Sequence, residues 1–339
     1  MRRITIGLIG AGRIGKLHAE HLAWRIPDAE LVAVADSRLE AAREVAAACG
    51  VDVAVEDYRV ILENPAIEAV VICASTNMHA QMIEEAAIAG KHIFCEKPID
   101  HDLAKIDKAL AVVDSAGVKL QVGFMRRFDT NFRRVRDMVA SGKIGTPHML
   151  RIISCDPEPP PIEYIKVSGG IFLDMVIHDF DMARFLIGSE VSEIYATGAA
   201  LVDPEIGKAG DIDTAATVLR FENGVIGTIN NSRKAVYGHD QRVEVLGSGG
   251  MAATSNNMSD GTIYSNADSV HTAPPLWFFI ERYTDAYIAE MIEFIECVRE
   301  GKTPSVTGSD GRVPVIMAHA AKKSFEENRP VRLSEIDAG

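Results

Sequence analysis

The stretch GGIFLDMVIHDFDMARFLIG, residues 169 to 188, carries the groups best suited to chemistry, Asp174, His178 and Asp181. In a helix of 3.6 residues per turn, positions i, i+4 and i+7 share a face, so the spacing predicts one polar stripe on a helix that is apolar on nearly every other side. A buried, unpaired charge costs on the order of several kcal/mol, so the stripe must pair internally or face a polar cavity. The internal solution joins Asp174 to His178 and Asp181 to Arg184. The cavity solution makes His178 a proton acceptor, since imidazole, with an ordinary pKa of about 6.5, is the side chain best matched to taking a hydroxyl proton near neutral pH. Asp174, one turn earlier, would then orient the ring or the substrate and favour the imidazolium.

A hydroxyl that loses its proton to a base can lose a hydride to a dinucleotide, and the chain opens with the signature of a site for one. The run ITIGLI ends in Gly10-Ala11-Gly12-Arg13-Ile14-Gly15, a G-x-G-x-x-G between a predicted strand and a predicted helix. Such a motif needs a tight turn at Gly10, no side chain at Gly12 so that backbone meets pyrophosphate, and close helix packing at Gly15. The helix N-terminus supplies free N–H groups and partial positive charge. Asp36, at the end of the second strand, can accept both hydroxyls of an adenosine ribose and repels a 2′-phosphate, which favours NAD over NADP. Ser37 and Arg38 keep NADP open. Ser75-Thr76-Asn77 with His79, and Glu96-Lys97-Pro98, follow later strands, where ligands of open parallel sheets bind. Thr76 and Asn77 also suit a helix cap, and Lys97 an exposed turn. From the opposite wall of a crevice, Lys97 could hydrogen-bond the reacting oxygen and stabilise its developing charge.

The elements that must position these groups fall into two patterns. Val- and Ile-rich runs at 4–9, 31–36, 69–75, 92–96 and 119–124 alternate with helical segments, which predicts parallel βαβ units. After Phe124 the alternation stops. A basic helix is expected near 130–140, read as a solvated face or an intersubunit contact, and Asp156-Pro157-Glu158-Pro159-Pro160-Pro161 reads as a rigid connector. Strand patterns then recur at EVSEIYATGAALV, DTAATVLRF, GVIGTINNS and QRVEVLG, the middle two joined at Asn223-Gly224, which favours a two-residue hairpin turn. Two late helices are expected near 276–300 and 310–327. The fold class is therefore α/β: a dinucleotide-binding Rossmann domain over 1–124, and an α+β domain over 125–339 with a large, mostly antiparallel sheet, for substrate binding.

Composition bounds the partners. A chain of 339 residues, 47% hydrophobic and 24% charged, is that of a two-domain globular protein. A net charge of −13 argues against nucleic acid and anionic membrane surfaces as partners. Five cysteines at 49, 73, 95, 155 and 297, with no C-x-x-C pair, indicate neither a metal site nor a disulfide framework and suit a reducing cytoplasm. The apolar run at the N-terminus breaks into a glycine turn too early for a signal peptide, and no run of about 18 apolar residues is present.

GAGRIG, the tetrapeptide Cys95-Glu96-Lys97-Pro98, VGFMRRFD at 122–129 and D-x-x-x-H from Asp174 to His178 together resemble the Gfo/Idh/MocA oxidoreductase family. SGGIFLDMVIHDFDMARFL and SRKAVYGHDQRVEVLGSGG are most similar to its inositol 2-dehydrogenase members. The resemblance implies NAD-dependent oxidation of a cyclitol or sugar, myo-inositol first and scyllo-inositol or glucose as alternatives, often by a homotetramer. It also implies a catalytic trio of Lys97, Asp174 and His178, with Glu96 and Lys97 against the nicotinamide ribose and Ser75, Thr76, Asn77 and His79 at the far end of the cofactor. Arg126, Asp156, Tyr237 and His239 become substrate neighbours. The chain departs from the family's S-R-D and Y-G-Y-D at Ser154-Cys155-Asp156 and Tyr237-Gly238-His239-Asp240, which bears on which polyol is oxidised. A regulator that binds dinucleotide and sugar without turnover is the alternative of a different class.

Overall fold

The computed structural model describes residues 2–337. The chain forms two compact units, one of residues up to 125 together with 285–313, the other of 126–284 together with the chain from 314 onward. A single cut after 124 would have left 285–313 with the second unit.

In the first unit six strands, β1 (Ile4–Ile9), β2 (Ala29–Ala35), β3 (Val53–Val55), β4 (Ala69–Ile72), β5 (His92–Glu96) and β6 (Leu120–Gly123), lie in the order β3-β2-β1-β4-β5-β6. Every neighbouring pair is parallel. Parallel neighbours require crossovers, here α1 (Arg13–Trp24), α2 (Leu39–Cys49), α3 (Arg59–Glu63), α4 (Thr76–Ile88) and α5 (Leu103–Ala116). Helices cover the sheet, so β4 is buried along its whole length and reads as an uninterrupted apolar run. The core gathers Leu8, Val34, Val71 and Phe94 with Leu22 and Val45, and residues 285–300 add Met291, Phe294 and Ile295. Phe294 meets Phe94 edge-on at 5.9 Å, and Val122 N–H donates to the Val306 carbonyl, which ties the late segment to β6.

The second unit contains α6 (Thr130–Ala140), β7 (Pro147–Cys155), α7 (Ile162–Ile165), α8 (Ile171–Asp174), α9 (Ile177–Ile187), β8 (Val191–Ala199), α10 (Pro204–Lys208), β9 (Thr214–Phe221), β10 (Ile226–Ser232), β11 (Asp240–Gly247) and β12 (Gly250–Ala253). With β15 (Val331–Arg332) they give a seven-stranded sheet ordered β12-β11-β7-β10-β9-β8-β15, in which only β7 and β10 run parallel. β13 (Ile263–Ser265) and β14 (Val270–Thr272) pair separately. The late helices are α11 (Phe279–Glu300) and α12 (Gly308–Glu327), followed by α13 (Ser334–Asp337).

Two local expectations change. The β9–β10 loop has three residues, Glu222 to Gly224, closed by Phe221 N–H to the Val225 carbonyl, and only Gly224 takes a positive φ, 88°. That is a turn followed by a left-handed glycine, the three-residue alternative to the two-residue hairpin. The striped helix is not continuous. It breaks at Met175–Val176 between α8 and α9, where Val176 N–H reaches back five residues to the Ile171 carbonyl. The single-face register from Asp174 through Asp181 therefore does not exist.

Candidate active site

In the first unit the expected cofactor residues gather at the carboxyl ends of β1, β2, β4 and β5. The three glycines of the first turn differ in what they are for. Gly10 has φ 100°, and a Cβ on it would lie 2.5 Å from the Cys73 backbone. A Cβ on Gly15 would stand 1.9 Å from the Gly10 carbonyl oxygen, so helix and strand cannot pack with anything larger. At Gly12 a Cβ would meet no protein atom within 4 Å. Folding demands glycine at two of the three positions; at Gly12 the bare backbone instead fits a ligand that must come close. Gly12 caps α1 without a side-chain bond, and the first turn, with Arg13 and Ile14, holds no acid, so its N–H groups suit a phosphate.

Asp36 braces this loop. Its Oδ2 accepts from Ala11 N–H at 2.8 Å and its Oδ1 from Arg38 N–H at 2.9 Å. Ser37 and Arg38 are exposed beside it. Ser75, Thr76 and Asn77 lie at the start of α4, which begins at Thr76, so Thr76 and Asn77 belong to its first turn rather than to a cap before Met78. His79 is buried, its ring nitrogens 2.8 and 2.9 Å from the carbonyl oxygens of Pro98 and Ala74. It thereby joins the segment after β4 to the one after β5. Glu96 and Lys97 are half-buried at the end of β5, and the Lys97–Pro98 peptide is cis. The neighbouring thiols of Cys73 and Cys95 are pushed well up by burial and by the Glu96 charge, which makes them poor nucleophiles.

In the second unit Asp174 ends α8 and His178 lies in the first turn of α9, the two helices being separated by two turn residues. Asp174 has partners well outside its own helix. Its Oδ1 accepts from the Tyr164 hydroxyl at 2.8 Å and its Oδ2 from Arg233 at 3.0 Å. Arg233, 1% exposed, also lies 3.6 Å from Asp211, whose other oxygen accepts from Ile171 N–H at the start of α8. His178 is half-buried.

Arg184 binds Glu190, and Asp181 is not on a cavity stripe. It is fully buried in a two-pronged ion pair with Arg127, whose nitrogens approach to 2.6 and 2.9 Å. Arg126 makes the matching bond to Asp179 at 2.6 Å, and Asn231 donates to the other Asp179 oxygen at 2.7 Å. Burial pushes the Asp179 carboxyl up, and Arg126 and Asn231 oppose the rise. The doublet Arg126-Arg127 thus belongs to the interior and anchors α9.

Of the remaining substrate candidates, Asp156 is half-buried, with Oδ1 3.4 Å from the buried His239 ring. His239 stands edge-on to Tyr283, over whose ring Arg126 also lies. Tyr237 is exposed and donates to Asp240, a bond that pushes its hydroxyl up to about 12.

Sequence reasoning missed Arg233, Asp211 and Asp179. Asp-x-Asp in HDFD, set against Arg-Arg at 126–127, was a usable signal for two buried pairs. Arg233 carried none beyond its place in SRKAV. Among the described residues no helix is long and apolar enough to cross a membrane.

The family model for oxidoreductases with an NAD-binding Rossmann fold matches residues 4–124, and that of the GFO/IDH/MocA C-terminal domain matches 132–253. A protein of Thermotoga maritima named myo-inositol 2-dehydrogenase is 49% identical over 98% of this chain and 99% of its own. An inositol 2-dehydrogenase of Rhizobium meliloti is 46% identical over 98% and 99%. The crystal structure of scyllo-inositol dehydrogenase from Lactobacillus casei, with NAD(H) and scyllo-inositol bound, superposes with a TM-score of 0.92 at 31% identity, covering 98% of this chain and 100% of that one.

Proposed function

The chain belongs to the GFO/IDH/MocA oxidoreductase family, and we propose that it oxidises myo-inositol to 2-keto-myo-inositol (scyllo-inosose), using NAD, as a homotetramer in the cytoplasm. The observation that carries this reading is the bracing of Asp174 on both oxygens, by Tyr164 and by a buried arginine, just before His178. A carboxylate held so firmly keeps one orientation towards an imidazole or a hydroxyl.

In this reaction His178 accepts the hydroxyl proton while the adjacent carbon gives up its hydrogen with the bonding pair, leaving a ketone. Asp174 favours the imidazolium that results. Lys97 donates a hydrogen bond to the reacting oxygen and stabilises its negative charge as the proton departs. The nicotinamide, when bound, supplies the hydride acceptor. Backbone N–H groups at Gly12, Arg13 and Ile14 hold the pyrophosphate over the Gly10 turn. Asp36 receives the ribose hydroxyls, because each of its oxygens has accepted one hydrogen bond and retains capacity for another. Its charge disfavours a 2′-phosphate, hence NAD over NADP. Ser37, Arg38, Ser75, Thr76, Asn77, His79 and Glu96 complete the cofactor's surroundings; Arg126, Asp156, Tyr237 and His239 surround the polyol.

The test is NADH formation across a panel of cyclitols and aldoses, with cofactor affinity measured separately. Myo-inositol should give the highest kcat/KM. Lys97→Ala and His178→Ala should each lower kcat at least ~100-fold and leave the NAD Kd within about threefold. Wild-type kcat in the His178 variant would overturn the assignment of the base. The second reading is scyllo-inositol or glucose, left open by Cys155 and His239 at the two departures from the family pattern, and the same panel decides between them.

A further inference from the structure

A cluster in the first unit joins Glu96 to two residues that play no part in the chemistry above. His18 on α1, Glu96 at the end of β5 and Glu290 on α11 bring one imidazole nitrogen and two carboxylate oxygens within 4.8 Å of one another. His18 is fully buried, edge-on to Phe94 at 5.2 Å and to Tyr287 at 5.6 Å, with Nε2 2.8 Å from Glu96 Oε1. Glu96 retains 13% exposure and lies against Gly123, where a Cβ would come within 3.1 Å of its carboxyl group. Glu290 is 0% exposed, and neither of its carboxyl oxygens has a hydrogen-bond partner among the described residues. Its backbone carbonyl, not its side chain, receives the Gln121 amide at 2.8 Å.

We propose that Glu290 is a positioning residue for the neighbour of Lys97: it holds a proton, stands behind the Glu96 carboxylate as a neutral acid, and with His18 fixes the direction in which β5 delivers Glu96 and Lys97. Desolvation dominates at Glu290, and the charged groups facing it are Glu96 from β5 and Glu293 from its own helix, both negative. These causes hold its carboxyl well above the ordinary range. His18 bonds Glu96, and the Cys73 and Cys95 thiols around Glu96 are themselves pushed up into the neutral form. A proton is the neutralising agent that the site accommodates without rearrangement, and it leaves one negative charge, on Glu96, beside Lys97. The positioning role rests on Lys97 taking part in catalysis; the proton on Glu290 does not.

The test uses the full-length protein and Glu290→Gln, which copies the neutral acid. A difference infrared spectrum of wild type against Glu290→Gln at neutral pH should show the carbonyl band of a protonated carboxylic acid in the wild type alone. In unfolding experiments the Gln variant should gain on the wild type as pH rises from about 5 to about 7. The folded wild type keeps a proton that its unfolded form, with a glutamate pKa of about 4.3, releases, so the ratio of unfolding constants should change up to about tenfold per pH unit. Absence of the band, a pH-independent difference, or a stoichiometric divalent metal in the purified protein would each overturn the proposal. For the positioning role, Glu290→Gln should exceed Glu290→Leu in kcat by at least tenfold at equal NAD affinity; equal kcat refutes it. If the Leu variant does not fold, Glu290→Met supplies the same comparison. Turnover is not needed for the infrared or unfolding results, so a failure of the inositol reading is seen separately, as a wild type without activity.

Discussion

Arg233→Met separates a structural ion pair from a functional one. Arg233 is almost wholly buried and serves two carboxylates, Asp174 at 3.0 Å and Asp211 at 3.6 Å. Its replacement by an uncharged chain of similar length preserves packing and removes the guanidinium from both Asp174 and Asp211, leaving their bonds to Tyr164 and Ile171 N–H in place. Breaking a buried pair by removing one partner costs about 3–5 kcal/mol, so the variant should unfold at much lower denaturant than wild type. Tyr164→Phe removes only a 2.8 Å bond from a half-exposed hydroxyl and should cost about 0.5–1.5 kcal/mol. Each variant removes one partner of the same carboxylate. If orientation of Asp174 matters to proton transfer, a displacement of about 1 Å lowers kcat ~100-fold in Arg233→Met, while Arg233→Lys recovers part of the charge and part of the rate. Urea titration together with steady-state oxidation of myo-inositol measures both quantities. A stability change below about 1 kcal/mol with unchanged kcat would refute the account of Asp174 as a braced carboxylate.

Glycine substitutions should divide by function. Gly12→Ala meets no protein atom and should fold with wild-type stability but bind NAD at least tenfold more weakly by calorimetry, whereas Gly15→Ala, aimed at the Gly10 carbonyl, should lose about 1–3 kcal/mol of stability. The His21 imidazole is lowered to about 4 by burial, then by His18 and Arg25. Because the unfolded chain takes up that proton from about pH 6.5 downward and the folded one does not, stability should fall between about pH 6.5 and about pH 4, and His21→Gln should flatten the thermal midpoint over that window. Arg127→Ala should strand the buried Asp181 and cost about 3–5 kcal/mol, while Arg127→Ala combined with Asp181→Ala should recover part of that loss, as a double-mutant cycle would measure.

Strand alternation in the first unit was legible because parallel strands covered on both faces must be Val- and Ile-rich over their whole length. β3, three residues long and half-exposed, leaves no such run. β7 was overlooked for a different reason: its burial alternates from Met149 to Cys155, but its residue types do not, with Met149 exposed and Ser154 buried, and its neighbours come from remote β10 and β11. Helical periodicity located residues 171–187 correctly but could not reveal the break after Asp174, which accompanies contacts to Tyr164 and Arg233, ten and fifty-nine residues away. The positions of the candidate groups were readable from motif and spacing. Which carboxylates are braced, and by what, was not, because those partners are chosen by topology rather than by proximity in the chain.

The buried acids show how this interior handles charge. Asp179, Asp181 and Asp129 each have an arginine, from Arg126, Arg127 and Arg282, and Asp174 shares Arg233 with Asp211. Asp213 instead accepts from three backbone N–H groups and the Thr214 hydroxyl, bonds that outweigh burial and hold its carboxyl below the usual range. Guanidinium and peptide N–H both keep a carboxylate ionised, and both fix it in place. Glu290 has neither, on an element whose nearest charges are negative, so ionisation there would oppose folding rather than support it. The same interior therefore stabilises charge where an acid must anchor a helix or face a proton acceptor, and suppresses it where a second negative group would repel Glu96.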